Sequence, residues 1–170
     1  MDFKEELLRE HSRKQAQAIA AAVDGSPVGL LKLVEVYLQG PYRVTQRAAW
    51  PLSIVAERKP QMLKPHLSKL ISFLRKPGIH DAVKRNTMRL LQFVDIPKKE
   101  HGRVADICFT YLTNKKEAVA VKVFAMTVMA KIADDEPELK RELKLIIEDQ
   151  LPYASAAFHA RARKILNSLK

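Results

Sequence analysis

The side chains with most chemical reach in this 170-residue chain are five histidines, one cysteine, a short acidic run and an excess of lysine and arginine. His11, His66, His80, His101 and His159 stand far apart. None has a partner three or four residues on that would complete a metal site along one helix. Cys108 is alone, so it can form no intramolecular disulfide, and it falls in an apolar column that makes it a small hydrophobe rather than a nucleophile. Asp134, Asp135, Glu136 and Glu138 cluster just ahead of a helix, where carboxylates complement the positive end of the helix dipole. The sequence carries no glycine-rich phosphate loop and no nucleophile elbow. The expectation is a non-enzymatic chain with no catalytic residue, no bound metal and no cofactor.

What remains is positive charge. The formal net charge is +11, and it is concentrated: residues 41–133 hold 18 Lys and Arg against 6 Asp and Glu. Residues 1–40 have 5 against 6, and residues 134–170 have 7 against 7. A patch of this sign attracts phosphates, acidic protein tails or anionic surfaces over a screening length of about 8 Å. The competing explanation is a lysine-coated, solvated face that keeps the protein dispersed.

The elements that must position these charges are helices. Residues 2–23 read as a first helix with Phe3, Leu7, Ala18, Ile19, Ala22 and Val23 near one face. The run Asp24, Gly25, Ser26, Pro27 ends it and starts the next, since serine caps a helix and proline suits its first turn. From there a repeat can be counted. The first helix of each pair ends on Leu38, Leu74, Leu112 and Leu151, at intervals of 36, 38 and 39. Four residues earlier stand Val34, Leu70, Cys108 and Ile147, and Tyr37, Phe73 and Tyr111 precede the leucine in the first three copies. In the second helices the small residues Ala49, Thr87, Ala125 and Ala162 lie 38, 38 and 37 apart. Leu52, Leu90, Val128 and Ile165 follow three positions later, and Ala56, Val94, Ile132 and Leu169 seven later, which keeps them on one face. A helix pair with one apolar face cannot bury it alone, so stacked copies close a continuous core.

The segments PQMLKPHLSKLISFL with AVKRNTMRLLQFV, and AVAVKVFAMTVMAKIAD, resemble HEAT repeats of the armadillo-like superhelix. That family opens its second helix with valine, a basic residue, two variable positions and alanine. Val121, Lys122, Val123, Phe124 and Ala125 match directly, and Val83, Lys84, Arg85, Asn86 and Thr87 match with threonine for alanine. Thr45, Gln46, Arg47, Ala48 and Ala49 match loosely, and Pro51 departs from the pattern inside a second helix, where it should kink the chain. The resemblance implies an all-α fold: an α-α superhelix of about nine helices, roughly four helix pairs plus an N-terminal helix, in a single domain over residues 1–170.

In similar superhelices the second helices line the concave side. Matched positions there place Arg47 beside Arg85 and Lys84 beside Lys122, with Arg43, Arg89, Arg161 and Arg163 on the same helices. The expected function is a macromolecule-binding module that holds a polyanion, nucleic-acid backbone or an acidic protein segment, against these eight cations. A protein–protein scaffold using exposed apolar side chains is the alternative. The resemblance extends distantly to the DNA alkylation repair helical-repeat proteins, and implies a glycosylase reading in which Trp50 with Tyr42 would meet the lesion and Asp95 or Asp81 would supply a carboxylate. Trp50 shares its column with Met88 and Met126, which favours packing. With one cysteine, no signal-peptide pattern and no apolar run long enough for a bilayer, the sequence reads as a cytoplasmic protein without a membrane partner.

Overall fold

In the computed structural model, which describes residues 1–170, every regular element is helical. Ten α-helices are present rather than about nine: α1 (Phe3–Arg9), α2 (Arg13–Ala22), α3 (Pro27–Gln39), α4 (Tyr42–Arg58), α5 (Leu67–Phe73), α6 (Asp81–Leu91), α7 (Lys98–Thr113), α8 (Val119–Ile132), α9 (Pro137–Gln150) and α10 (Ala156–Ser168). Short 3-10 segments, Pro60–His66 and Leu151–Tyr153, precede α5 and follow α9.

The extra helix arises because residues 2–23 are not continuous. Asp2 caps α1 by accepting from the Lys4 and Glu5 amides, and Ser12 caps α2 by accepting from the Gln15 amide at 3.1 Å. A second strong cap ten residues into the segment starts a new helix, and the orphan carbonyls this leaves at the end of α1 are taken up by Arg47. The first helix of the second pair is also shortened. Pro60 and Pro65 bring no backbone N–H, and the chain runs as a 3-10 segment until Leu67. By contrast, α4 continues without a break through Pro51, with Ser53 Oγ donating to the Trp50 carbonyl at 2.8 Å.

The chain divides into two compact units, residues 1–95 and 96–170. In the first, α4 is central: α1, α2, α3 and α6 all pack on it. In the second, α8 holds the same place, packed by α7 and α10. Most of the counted columns lie in the cores of these units, while Leu38, Leu151 and Leu169 are only half-buried. Val34, Leu70, Cys108 and Ile147 are buried, as are Ala49, Thr87, Ala125 and Ala162, and Leu52, Leu90, Val128 and Ile165. Small side chains at the second of these columns let neighbouring helices approach, and the larger ones three residues later fill the space between.

A polar bond lies inside the core of the first unit. Tyr37 and Phe73 stack with ring centroids 4.9 Å apart, and the Tyr37 hydroxyl hydrogen-bonds Thr87 Oγ1 at 2.8 Å. Gly40 ends α3 where a Cβ would lie 2.4 Å from the Val36 carbonyl oxygen, so only glycine fits that turn.

Candidate functional site

The eight basic residues expected to form one stripe meet different fates. Arg47 donates to the carbonyls of Leu7 (2.9 Å) and Leu8 (3.2 Å), tying α4 to the end of α1. Arg89 bridges α6 to α4 through Ser53 Oγ (3.2 Å) and Glu57 Oε2 (2.6 Å), and its guanidinium lies 5.3 Å from the Phe93 ring centre. Arg161 donates to Thr127 Oγ1, joining α10 to α8. Lys122 is buried and donates to Gln150 Oε1 at 3.1 Å, joining α8 to α9. Lys84 lies 4.0 Å from Asp81. Arg43, Arg85 and Arg163 are exposed. Half of the set therefore stitches neighbouring helices within a unit, using the long reach of these side chains.

Of the rings and acids of the glycosylase reading, Tyr42 packs on His80, the residue before Asp81. Trp50 is half-buried against His11, with ring centroids 5.7 Å apart. Asp81 begins α6 and Asp95 lies beyond its other end. No three His, Cys, Asp or Glu side chains converge on a point where a metal would sit. Burial pushes the Cys108 thiol well above its ordinary value, so at neutral pH it is no nucleophile.

The largest cleft lies in the second unit and was not anticipated from the cations. It has a volume of about 870 Å³ and runs between the α7–α8 turn and the end of α9 with the start of α10. Val119, Leu145 and Tyr153 line it and are 41%, 62% and 91% exposed, three of the eight large hydrophobic side chains the protein leaves in solvent, alongside the exposed Thr113, Lys115 and Asp149. Its floor is polar. Gln150 Nε2 donates to the Leu112 carbonyl at 2.6 Å while its oxygen accepts from Lys122, and Glu117 is buried with Oε1 receiving the Ala118 amide at 3.2 Å. Burial lowers the Lys122 pKa, and the nearby Glu117 carboxylate opposes that shift.

One signal for this groove was present in the sequence. The residue before the column leucine is aromatic in three copies, Tyr37, Phe73 and Tyr111, and is Gln150 in the fourth. A ring that would have packed between consecutive helix pairs is replaced by an amide, and a wide cleft opens there.

With the helices, the repeating columns and the cleft in view, the class of protein is a helical-repeat domain. A family model of the HEAT repeat domain matches residues 3–169. The chain belongs to the HEAT repeat family, whose repeats generally mediate macromolecular interactions. No curated protein matches the chain. No helix is long and apolar enough to cross a membrane.

Proposed function

We propose that this protein is a non-enzymatic, cytoplasmic scaffold whose two units act as one HEAT domain, and that its second unit grips a segment of a partner protein in the Val119–Leu145–Tyr153 groove. The observation that carries this is the gathering of three large exposed hydrophobic side chains around the largest cleft. An isolated exposed leucine is ordinary, whereas a cluster rimming a concavity is what an interface leaves when empty. The partner segment inserts an apolar side chain between Val119 and Leu145, and the polar floor fixes its orientation through Lys122.

Selection of a random peptide library on the immobilised protein tests this. Binders with an apolar anchor are expected, with backbone amide shifts perturbed at Val119, Leu145 and Tyr153. Binding should be lost in Leu145→Ser. A library that yields no binders, or binders indifferent to Leu145→Ser, would sink the proposal.

A second reading is favoured by charge. Residues 58–80 contain six Lys and Arg and not one Asp or Glu. On this reading each unit also offers a polyanion its own exposed cations, Arg43 and Arg85 in the first and Arg163 in the second, with Lys84, Arg47 and Arg89 in the first and Lys122 and Arg161 in the second supporting them from within the helix packing. Affinity for phosphate-bearing ligands should then fall steeply as salt rises.

A further inference from the structure

We infer that the first unit carries a site for single-stranded nucleic acid where Tyr42 and His80 meet Lys76 and Lys69, an inference that rests on the polyanion reading and gives it a location and a ligand. Two clefts adjoin there. One, of about 300 Å³, is lined by Tyr42, Lys76 and His80 among others, and the second, of about 290 Å³, by Ser68, Lys69, Ser72 and the same Lys76. Leu38 and Phe73 are shared by both linings, so the clefts form one surface running from an aromatic end to a cationic end.

The chemistry of that surface is one-sided. Neither lining contains a carboxylate. Lys76 is held over the Phe73 ring with its ammonium 4.7 Å from the centroid, which fixes the charge at the junction of the two clefts. Lys69 and Lys76 line the second cleft together with the hydroxyl-bearing Ser68 and Ser72. Asp81, the first acid after this stretch, is exposed and lies beside Lys84.

At the aromatic end, Tyr42 is 61% exposed and packs edge-on to His80 with centroids 5.7 Å apart. His80 Nδ1 accepts the Ala82 amide at 2.9 Å, so in the neutral ring the proton sits on Nε2, leaving an N–H donor. An acidic peptide would need only the lysines. A polynucleotide uses both ends, a base stacked on the exposed tyrosine face and phosphates along Lys76 and Lys69. The bases of a duplex already have both faces stacked on their neighbours, so only an unpaired strand can use the ring.

Fluorescence anisotropy with a labelled single-stranded oligonucleotide tests the site, with the matching duplex and polyglutamate as competitors. Wild-type binding should weaken with salt. Tyr42→Ala, at an exposed position that does not threaten folding, should lose about 10-fold in affinity. The double variant Lys69→Gln/Lys76→Gln should reduce the slope of log affinity against log salt by about 1.4, the value for two phosphate contacts on a single strand. If these variants bind as wild type while Arg85→Gln or Arg163→Gln weakens binding, the location is wrong and the polyanion reading stands. Polyglutamate competing as well as the oligonucleotide, with Tyr42→Ala silent, would replace nucleic acid by acidic protein. No binding of any polyanion at low salt would remove both.

Discussion

The two units carry clefts at the same place in the repeat, between the turn of one helix pair and the turn of the next, and they have come out differently. In the first unit the cleft is about 300 Å³, and in the second about 870 Å³. The residue preceding the column leucine is one difference between them. Phe73 fills the first cleft from below, stacked on Tyr37 and capped by Lys76. At the matching position Gln150 turns instead to the Leu112 carbonyl and Lys122, and the volume a phenyl ring would occupy stays open. One substitution in a repeat therefore changes what a position packs against, because an aromatic side chain sustains packing whereas an amide must find polar partners.

The largest expected effect comes from making the first unit like the second. Phe73→Gln removes a ring that is 8% exposed and strands an amide beside Tyr37, and should cost about 3 kcal/mol in urea unfolding. A loss below about 1 kcal/mol would mean that the ring is not what closes the first cleft.

Alkaline pH should separate the units next. The Cys108 thiol, whose ordinary pKa is 9.0, is raised by burial, and the Tyr37 hydroxyl, ordinarily 10.0, is raised by burial against the lowering effect of its Thr87 bond. Above pH 9.0 the unfolded chain releases the thiol proton while the folded chain keeps it. Stability contributed by Cys108 is thus fully present below 9.0 and falls by about 1.4 kcal/mol for each pH unit above it. Tyr37 starts the same loss one unit higher. Hydrogen exchange between pH 8 and 11 should show the second unit weakening first, and Cys108→Val should abolish that earlier onset. Equal onset in the two units, or an unchanged onset in Cys108→Val, would overturn this assignment.

A smaller effect is expected from Tyr37→Phe, which keeps the ring stack and deletes the bond to Thr87. Leaving that buried hydroxyl unpaired should cost about 1 kcal/mol, with the first cleft unchanged in volume.

Much of this architecture was readable from the chain. Columns such as Val34, Leu70, Cys108 and Ile147 are set by period and apolarity, properties that survive translation into packing with little else involved, and all four are buried. The break at His11 and Ser12 was not foreseen, because a cap competes with a continuing helix and the deciding contact, Arg47 on the Leu7 carbonyl, comes from 40 residues away. The cations were legible as charge but not as partners. Lys84 and Lys122 share a register, yet one is half-exposed near Asp81 and the other is buried on Gln150, since what surrounds a side chain depends on the neighbouring repeat. The groove was visible only as a missing aromatic residue, and an absence becomes a site only when coordinates show that nothing else fills it.

The reciprocal exchange, Gln150→Phe, should have the smallest effect on stability and the clearest one on the cleft. It removes two hydrogen bonds, from Gln150 to the Leu112 carbonyl and from Lys122 to Gln150, each worth about 1 kcal/mol. It adds a phenyl ring whose burial returns roughly 1.5–3 kcal/mol. The Leu112 carbonyl lies in the last turn of α7, and Lys122 keeps the Glu117 carboxylate nearby. Net stability should stay within about 1 kcal/mol of wild type while the groove narrows toward the volume seen in the first unit, and peptides selected on the native groove should no longer bind. A crystal structure of the variant and a denaturation curve decide the matter together. A drop of several kcal/mol would show that the amide holds α8 to α9, and the open groove would then be a by-product of that tie rather than the reason for the exchange.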